Sequence, residues 1–445
     1  MTSLPSRPLR RLLAVPIAVV LVAPAGDASA QRLVAPRTVA MDEAFTVRAT
    51  GLRPGERVTI RASMRDSAQG IWMAEAAYEA DARGEVDVAR DPSVGGAYRG
   101  VDRMGLVTRM DLPDRPGTAV YQSPGLGELP VTYVLVASGR TADSAVVVRR
   151  FLSPDVRAVA LDPASGLTGT LFVPGSPRAS RAVLVLGGSE GGNSAADVAA
   201  LLASRGYTAL SLAYFGGELL PRELDRIPLE YFGRAIDFLA RQPNVNAGAI
   251  AVFGTSKGAE AALLVAARDR RVWAVVAYVP SSVAWSCICA AAAHSSWSLG
   301  GVDVPSVPPG RDPSVTTVAG EPLRPVVHYR HRMRDSAAVE RARIQVERIA
   351  GPVLLVAGED DALWPSADMA RSVRAGLAAS AGRSGDTLLV YPGAGHRIGK
   401  AYLPAGSTRV GGGRLETGGA ARPNAAAQAD AWRQVLRFLE RALGS

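Results

Sequence analysis

Lysine is nearly absent from this 445-residue chain: Lys257 and Lys400 are the only two, and arginine supplies the rest of the 50 basic residues. The arginines alternate with acids throughout, which reads as a compositional habit. No basic stripe with interleaved aromatics marks a nucleic-acid surface. Cysteine is as scarce. Cys287 and Cys289 cannot form a disulfide framework with other partners. Residues two apart rarely reach disulfide geometry, and a metal site would want more Cys or His close by. The expectation is two small apolar side chains. Histidine is limited to His294, His328, His331 and His396, so the first third of the chain has none with which to do acid-base chemistry. After residue 30 no apolar run is long enough to cross a bilayer.

Residues 1–30 stand apart. "RPLRR" is followed by the apolar "LLAVPIAVVLVAPA" and the small-residue "ASA" before Gln31. That order predicts a secretory signal cleaved after Ala30, and with it an exported protein, periplasmic or extracellular. Without the segment, Arg7, Arg10, Arg11 and Asp27 drop out and the net charge falls from +9 to +7. The remainder is long enough for two domains with separate cores.

Residues 31–152 alternate. "AFTVRAT", "VTIRASMRD", "IWMAEAAYEA", "VTYVLVASG" and "DSAVVVRRF" are short period-two runs broken by Gly, Pro and Asp. The pattern predicts an antiparallel, immunoglobulin-like β-sandwich. From 153 to 445 the period changes. "AVLVLGG", "YTALSLAYF", "AIAVFG", "VWAVVAYVP", "PVLLVAG" and "TLLVYPG" are near-continuous apolar strands, separated by helical stretches and closed by the amphipathic "AQADAWRQVLRFLERAL". This predicts an α/β domain with a mostly parallel sheet covered on both faces. The long interval 281–345, rich in Ser, Pro and Arg, is expected to act as a cap or lid.

Within "AVFGTSKGAEAALLVAA" the form G-x-S-x-G sits between a predicted strand and a predicted helix, the setting of a nucleophile elbow. Gly254 and Gly258 omit side chains that would collide across so tight a turn, and Ser256 becomes the candidate nucleophile. A serine hydroxyl needs a base. His396 in "YPGAGHRIG" follows an apolar strand, whereas the other histidines fall in the long interval with no strand to aim them. An acid must orient that base, and "GEDDALWPS" offers Asp361, with Asp360 as fallback. The order Ser, Asp, His is that of the α/β-hydrolase arrangement. For the oxyanion hole, "LVLGGSEGGNS" offers the amides of Gly188 or Ser189, alongside that of Lys257. The chemistry calls for no metal or prosthetic group.

With these residues in place the chain resembles the acyl-CoA thioesterase and bile acid-CoA:amino acid N-acyltransferase family. The likeness runs through "GLRPGERVTIRASMRD", "YEADARGEVDVARDPSVGGAYRGVDRMGL", "ASRGYTALSLAYFGGELLP", "GEDDALWPS", "YPGAGHRIG" and the terminal helix. It implies a β-sandwich before an α/β-hydrolase domain acting on acyl-CoA thioesters, with Ser256 as nucleophile, Asp361 as acid and His396 as base. Members that transfer the acyl group to glycine or taurine use cysteine, so serine favours release to water. The alternatives are an exported carboxylic ester or lactone hydrolase, which the export signal favours, an acyl-CoA:amino acid acyltransferase, and a binding protein without activity.

Overall fold

The computed structural model describes residues 30–123, 125–175, 180–243, 245–290, 294–314, 319–380 and 382–444. The expected export signal, but for Ala30, therefore lies outside the described residues.

Alternation builds the first unit. In Arg57–Arg65 every second side chain is buried, and in the antiparallel partner Ile71–Glu79 the same is true, with Val58 opposite Tyr78, Ile60 opposite Ala76 and Met64 opposite Trp72. A one-residue slip would turn this whole set to solvent, so burial fixes the register. The six-stranded sheet runs Thr38–Ala40, Arg140–Arg150, Leu129–Ala137, Arg57–Arg65, Ile71–Glu79, Gly95–Gly96, and faces a smaller sheet of Arg32–Val34, Arg48–Thr50 and Val86–Asp87. One pairing departs from the antiparallel expectation: Thr38–Ala40 runs parallel to Val148–Arg150. Parallel neighbours need a long connection, and the rest of the sandwich supplies it.

The second unit is an eight-stranded sheet. Its strands are β1 (Arg157–Ala160), β2 (Thr168–Val173), β3 (Ser180–Leu186), β4 (Thr208–Ala213), β5 (Val245–Thr255), β6 (Val272–Tyr278), β7 (Val353–Gly358) and β8 (Thr387–Tyr391). They lie in the order β1-β2-β4-β3-β5-β6-β7-β8. The pairs β1–β2 and β2–β4 are antiparallel and all others parallel. This is the α/β-hydrolase fold.

The continuous apolar strands follow from having two buried faces. Val183, Val185, Phe253 and Val356 point into a core with helix α1 (Ala196–Ser204) and the terminal helix α5 (Ala421–Ala442). Leu184, Leu186, Val252 and Leu355 point the other way, onto α2 (Leu229–Ala240), α3 (Lys257–Ala266) and α4 (Ser366–Ala378). Period two persists, but both phases are apolar.

The sandwich is tied to the α/β unit through a buried carboxylate. Asp42 accepts from Arg205 Nε at 3.0 Å and Nη2 at 2.7 Å, and from Trp432 Nε1 at 2.8 Å. Its side chain is 1% exposed whereas that of Arg205 is 34% exposed. Solvent at the arginine discounts the pair, so Asp42→Asn is expected to cost about 1–2 kcal/mol. The check is a urea-unfolding midpoint; an unshifted one would remove this carboxylate from the account of how the units are joined.

The interval between β6 and β7 is built rather than loose where it is described. Trp285 and Trp297 are completely buried, and helices Val326–Arg332 and Ser336–Ala342 precede β7. Cys287 and Cys289 correct the expectation drawn from their spacing: they are joined in a disulfide. Ile288 between them bridges to Leu224 as a single β-pair. Their Cα atoms are 5.4 Å apart, within the span a disulfide bridges.

Candidate active site

Three strand ends converge. Strand β5 stops at Thr255, Ser256 takes φ 57° and ψ −119°, and α3 starts at Lys257. A positive φ on a serine is strained and persists only where the surroundings hold it. Two glycines do the holding, by close approach. A Cβ on Gly254 would lie 2.2 Å from the Gly258 carbonyl oxygen, and one on Gly258 would lie 2.2 Å from that of Gly187. Larger residues at either position would open the turn.

His396 follows β8 through a loop pinned at its far end. Its amide donates to Thr417 O at 2.8 Å, and the amide of Gly395 donates to Asn424 Oδ1 at 2.8 Å. The ring then bridges two partners: Nδ1 is 2.8 Å from Asp361 Oδ2 and Nε2 is 3.1 Å from Ser256 Oγ. Trp364 packs edge-on against the imidazole, with centroids 5.9 Å apart.

Asp361 follows β7 and is almost saturated. Oδ1 accepts from the amides of Leu363 at 2.9 Å and Trp364 at 3.2 Å, and Oδ2 accepts from Ser366 Oγ at 2.6 Å besides the histidine. Four donors fix the plane of the carboxylate. The histidine meets this acid and not Asp360, whose amide donates to Ala394 O. Ser256 is 8% exposed, and the side chains of His396 and Asp361 are 10% and 1% exposed.

The oxyanion candidates are placed unequally. Gly188 lies against the serine, since a Cβ there would be 3.4 Å from Ser256 Cβ. Gly187 and Gly188 line the cavity above Ser256, and Ser189 is not among its lining residues. Lys257 opens α3, where the first amides of a helix have no intrahelical acceptor. The remaining histidines are elsewhere: His294 Nδ1 is 3.1 Å from Asp225 Oδ1, and His328 Nδ1 accepts from the Asp312 amide at 3.0 Å.

Sequence reading missed Glu260 and the tryptophans around it. Lys257 Nζ lies 2.7 Å from Glu260 Oε2, while Glu260 Oε1 accepts from the Trp285 amide at 2.9 Å and from Trp297 Nε1 at 2.6 Å. The ammonium also lies 5.3 Å from the Trp297 ring centre. Burial pushes the Lys257 pKa down, and Glu260 opposes that shift. One signal was available: Glu260 is the only acid in an otherwise apolar helical run, three residues from the only lysine nearby. It ties the helix carrying the elbow to the interval between β6 and β7.

A cavity of about 290 Å³ opens beside Ser256 and His396. Tyr121 and Ser123, from the sandwich, line it together with Gly188, Glu190, Arg397 and Lys400. Among the described residues, Asp225, Cys287 and Cys289 are grouped closely enough to hold a cation. The cysteines, however, are oxidised and offer no thiolate.

The chain matches two family models: "Acyl-CoA thioester hydrolase/BAAT N-terminal region" over residues 42–162 and "BAAT / Acyl-CoA thioester hydrolase C terminal" over residues 227–445. It is 33% identical over 412 residues to acyl-coenzyme A thioesterase 1 of Mus musculus, covering 91% of this chain and 94% of that protein. The mitochondrial acyl-coenzyme A thioesterase 2 of Mus musculus is also 33% identical, covering 91% of this chain and 87% of its own. The peroxisomal succinyl-coenzyme A thioesterase of Mus musculus is 31% identical, covering 91% of this chain and 94% of its own.

Proposed function

Because the chain belongs to the acyl-CoA thioester hydrolase/BAAT family and is a thioester hydrolase, we propose that it releases a carboxylic acid and CoA through a Ser256–His396–Asp361 triad and an acyl-enzyme. One observation carries this reading: the unbroken run of hydrogen bonds from Asp361 through His396 to Ser256, at 2.8 and 3.1 Å.

The steps follow from the groups. Asp361 holds the proton of His396 on Nδ1, which leaves Nε2 free to accept the Ser256 proton as Oγ attacks the acyl carbonyl. The amides of Gly188 and Lys257 hold the developing oxyanion, with Ser189 the neighbouring donor. The C–S bond breaks and His396 returns its proton to the leaving sulfur. Water then approaches the ester carbonyl, His396 takes one of its protons, and the acid departs with the serine restored. Serine as nucleophile favours this second half-reaction over transfer to an amine.

The direct test is to trap the intermediate. Rapid mixing with an acyl-CoA, acid quench and peptide mass analysis are expected to show one acyl group on the peptide containing Ser256. An acyl group found on another residue, or turnover in which none ever forms, contradicts the covalent route.

A further inference from the structure

The cavity at Ser256 contains a charge that the hydrolysis above does not use. Lys400 is closed by Asp197, at 2.5 Å. Arg397, the residue after His396, is different. Among the described residues its guanidinium meets neither a carboxylate nor a carbonyl, and its Nη1 is buried without a hydrogen-bond partner. Gln428, on the same cavity, donates from Nε2 to the Arg397 carbonyl at 3.0 Å, and its own Oε1 is buried without a partner. Glu190 favours the charge on Arg397 through space but forms no bond to it, while burial pulls the Arg397 pKa down.

A guanidinium held in this condition costs free energy until an anion reaches it. Its planar fork matches a carboxylate in two parallel hydrogen bonds. We propose that Arg397 binds a carboxylate at the far end of a short acyl group, so that the preferred substrates are monothioesters of short dicarboxylic acids. The inference rests on the thioesterase reading of Ser256 and specifies its acyl half.

Size and position choose the acyl group over CoA as the source of the anion. A cavity of about 290 Å³ is at the small end for ligand sites and suits a short acyl group. Arg397 lines the same cavity as Ser256 and His396, so an anion on it shares that space with the reacting carbonyl. The phosphates of CoA lie at the far end of the pantetheine arm.

The test compares kcat/KM for two acyl-CoAs of equal chain length, one ending in a carboxylate and one in a methyl group, and repeats the pair as N-acetylcysteamine thioesters, which carry no phosphate. The wild type is expected to prefer the carboxylate by about tenfold or more on both carriers. Arg397→Gln is expected to lower the carboxylate-to-methyl ratio about 100-fold, mostly through KM, and Arg397→Lys to fall between. Fluorophosphonate labelling of Ser256 reports an intact site in each variant, and wild-type preference needs no variant at all. No carboxylate preference in the wild type overturns the proposal. So does a ratio unmoved by Arg397→Gln. Loss on both CoA esters but on neither N-acetylcysteamine thioester would place the anion on CoA and overturn it equally. Failure of Ser256 to label in the wild type is a separate result and counts against the triad.

Discussion

Ser256→Ala is expected to lower kcat for acyl-CoA hydrolysis by about 10⁴-fold or more, with KM changed little. In the proposed mechanism the loss is that large because the three side chains act as one device. With the hydroxyl gone, His396 has no proton to take, and the carboxylate of Asp361 orients a base with no nucleophile. Residual turnover over water would come from the amides of Gly188 and Lys257 and from binding, which the substitution leaves in place. Alanine adds no bulk at a backbone already at φ 57°. Melting temperature should therefore stay close to wild type, separating lost chemistry from lost fold. Hydrolysis continuing at a tenth of the wild-type rate or better in a folded Ser256→Ala protein would remove the serine from the mechanism.

The second large effect concerns stability. Glu260→Ala is expected to cost about 3–5 kcal/mol, because it strands the Lys257 ammonium in a buried site and takes the acceptor from the Trp285 amide and Trp297 Nε1. Joint replacement, Lys257→Met with Glu260→Leu, should recover only the share owed to the stranded ammonium, since the Trp285 amide and Trp297 Nε1 still lack their acceptor. The pH dependence has a definite sign. The pKa of Lys257 is already lowered by burial in the presence of Glu260. Without the acid it falls further, so the folded variant binds fewer protons than the unfolded chain below the ordinary lysine pKa. Stability then rises with pH across that window, and the gap to wild type narrows from pH 7 toward pH 9.5. Urea unfolding at both pH values measures this. A gap that widens with pH would mean that the lysine stays charged without its partner.

Much of this site was legible in the sequence for a local reason. Strand-turn-helix chemistry at Ser256 is written within a few residues, because a positive-φ serine flanked by colliding carbonyls demands glycine at 254 and 258. His396 and Asp361 were found because apolar strands announce where they end, and residues just beyond a parallel strand share one rim of the sheet. Alternation in Val58–Met64 and its loss in Ala182–Leu186 separated the two units for the same reason: one strand has a single buried face and the other has two.

Side-chain pairings between distant segments were not legible. Period and spacing say nothing about Trp297, far along the chain, donating to Glu260, or about Asp42 taking Arg205 and Trp432 together. Cys287 and Cys289 read as free because spacing alone cannot show that the folded backbone brings their side chains together. The sequence by itself determined the two-unit order, the two-faced sheet and the identity of the serine, histidine and aspartate, since each is set by local pattern. Only the tertiary structure decided that Tyr121 of the sandwich reaches the cavity of the other unit, and that Arg397 lines it without a partner while Lys400 has one. Those outcomes depend on which surfaces meet after the chain has packed, and burial and hydrogen-bond satisfaction are properties of that packing alone.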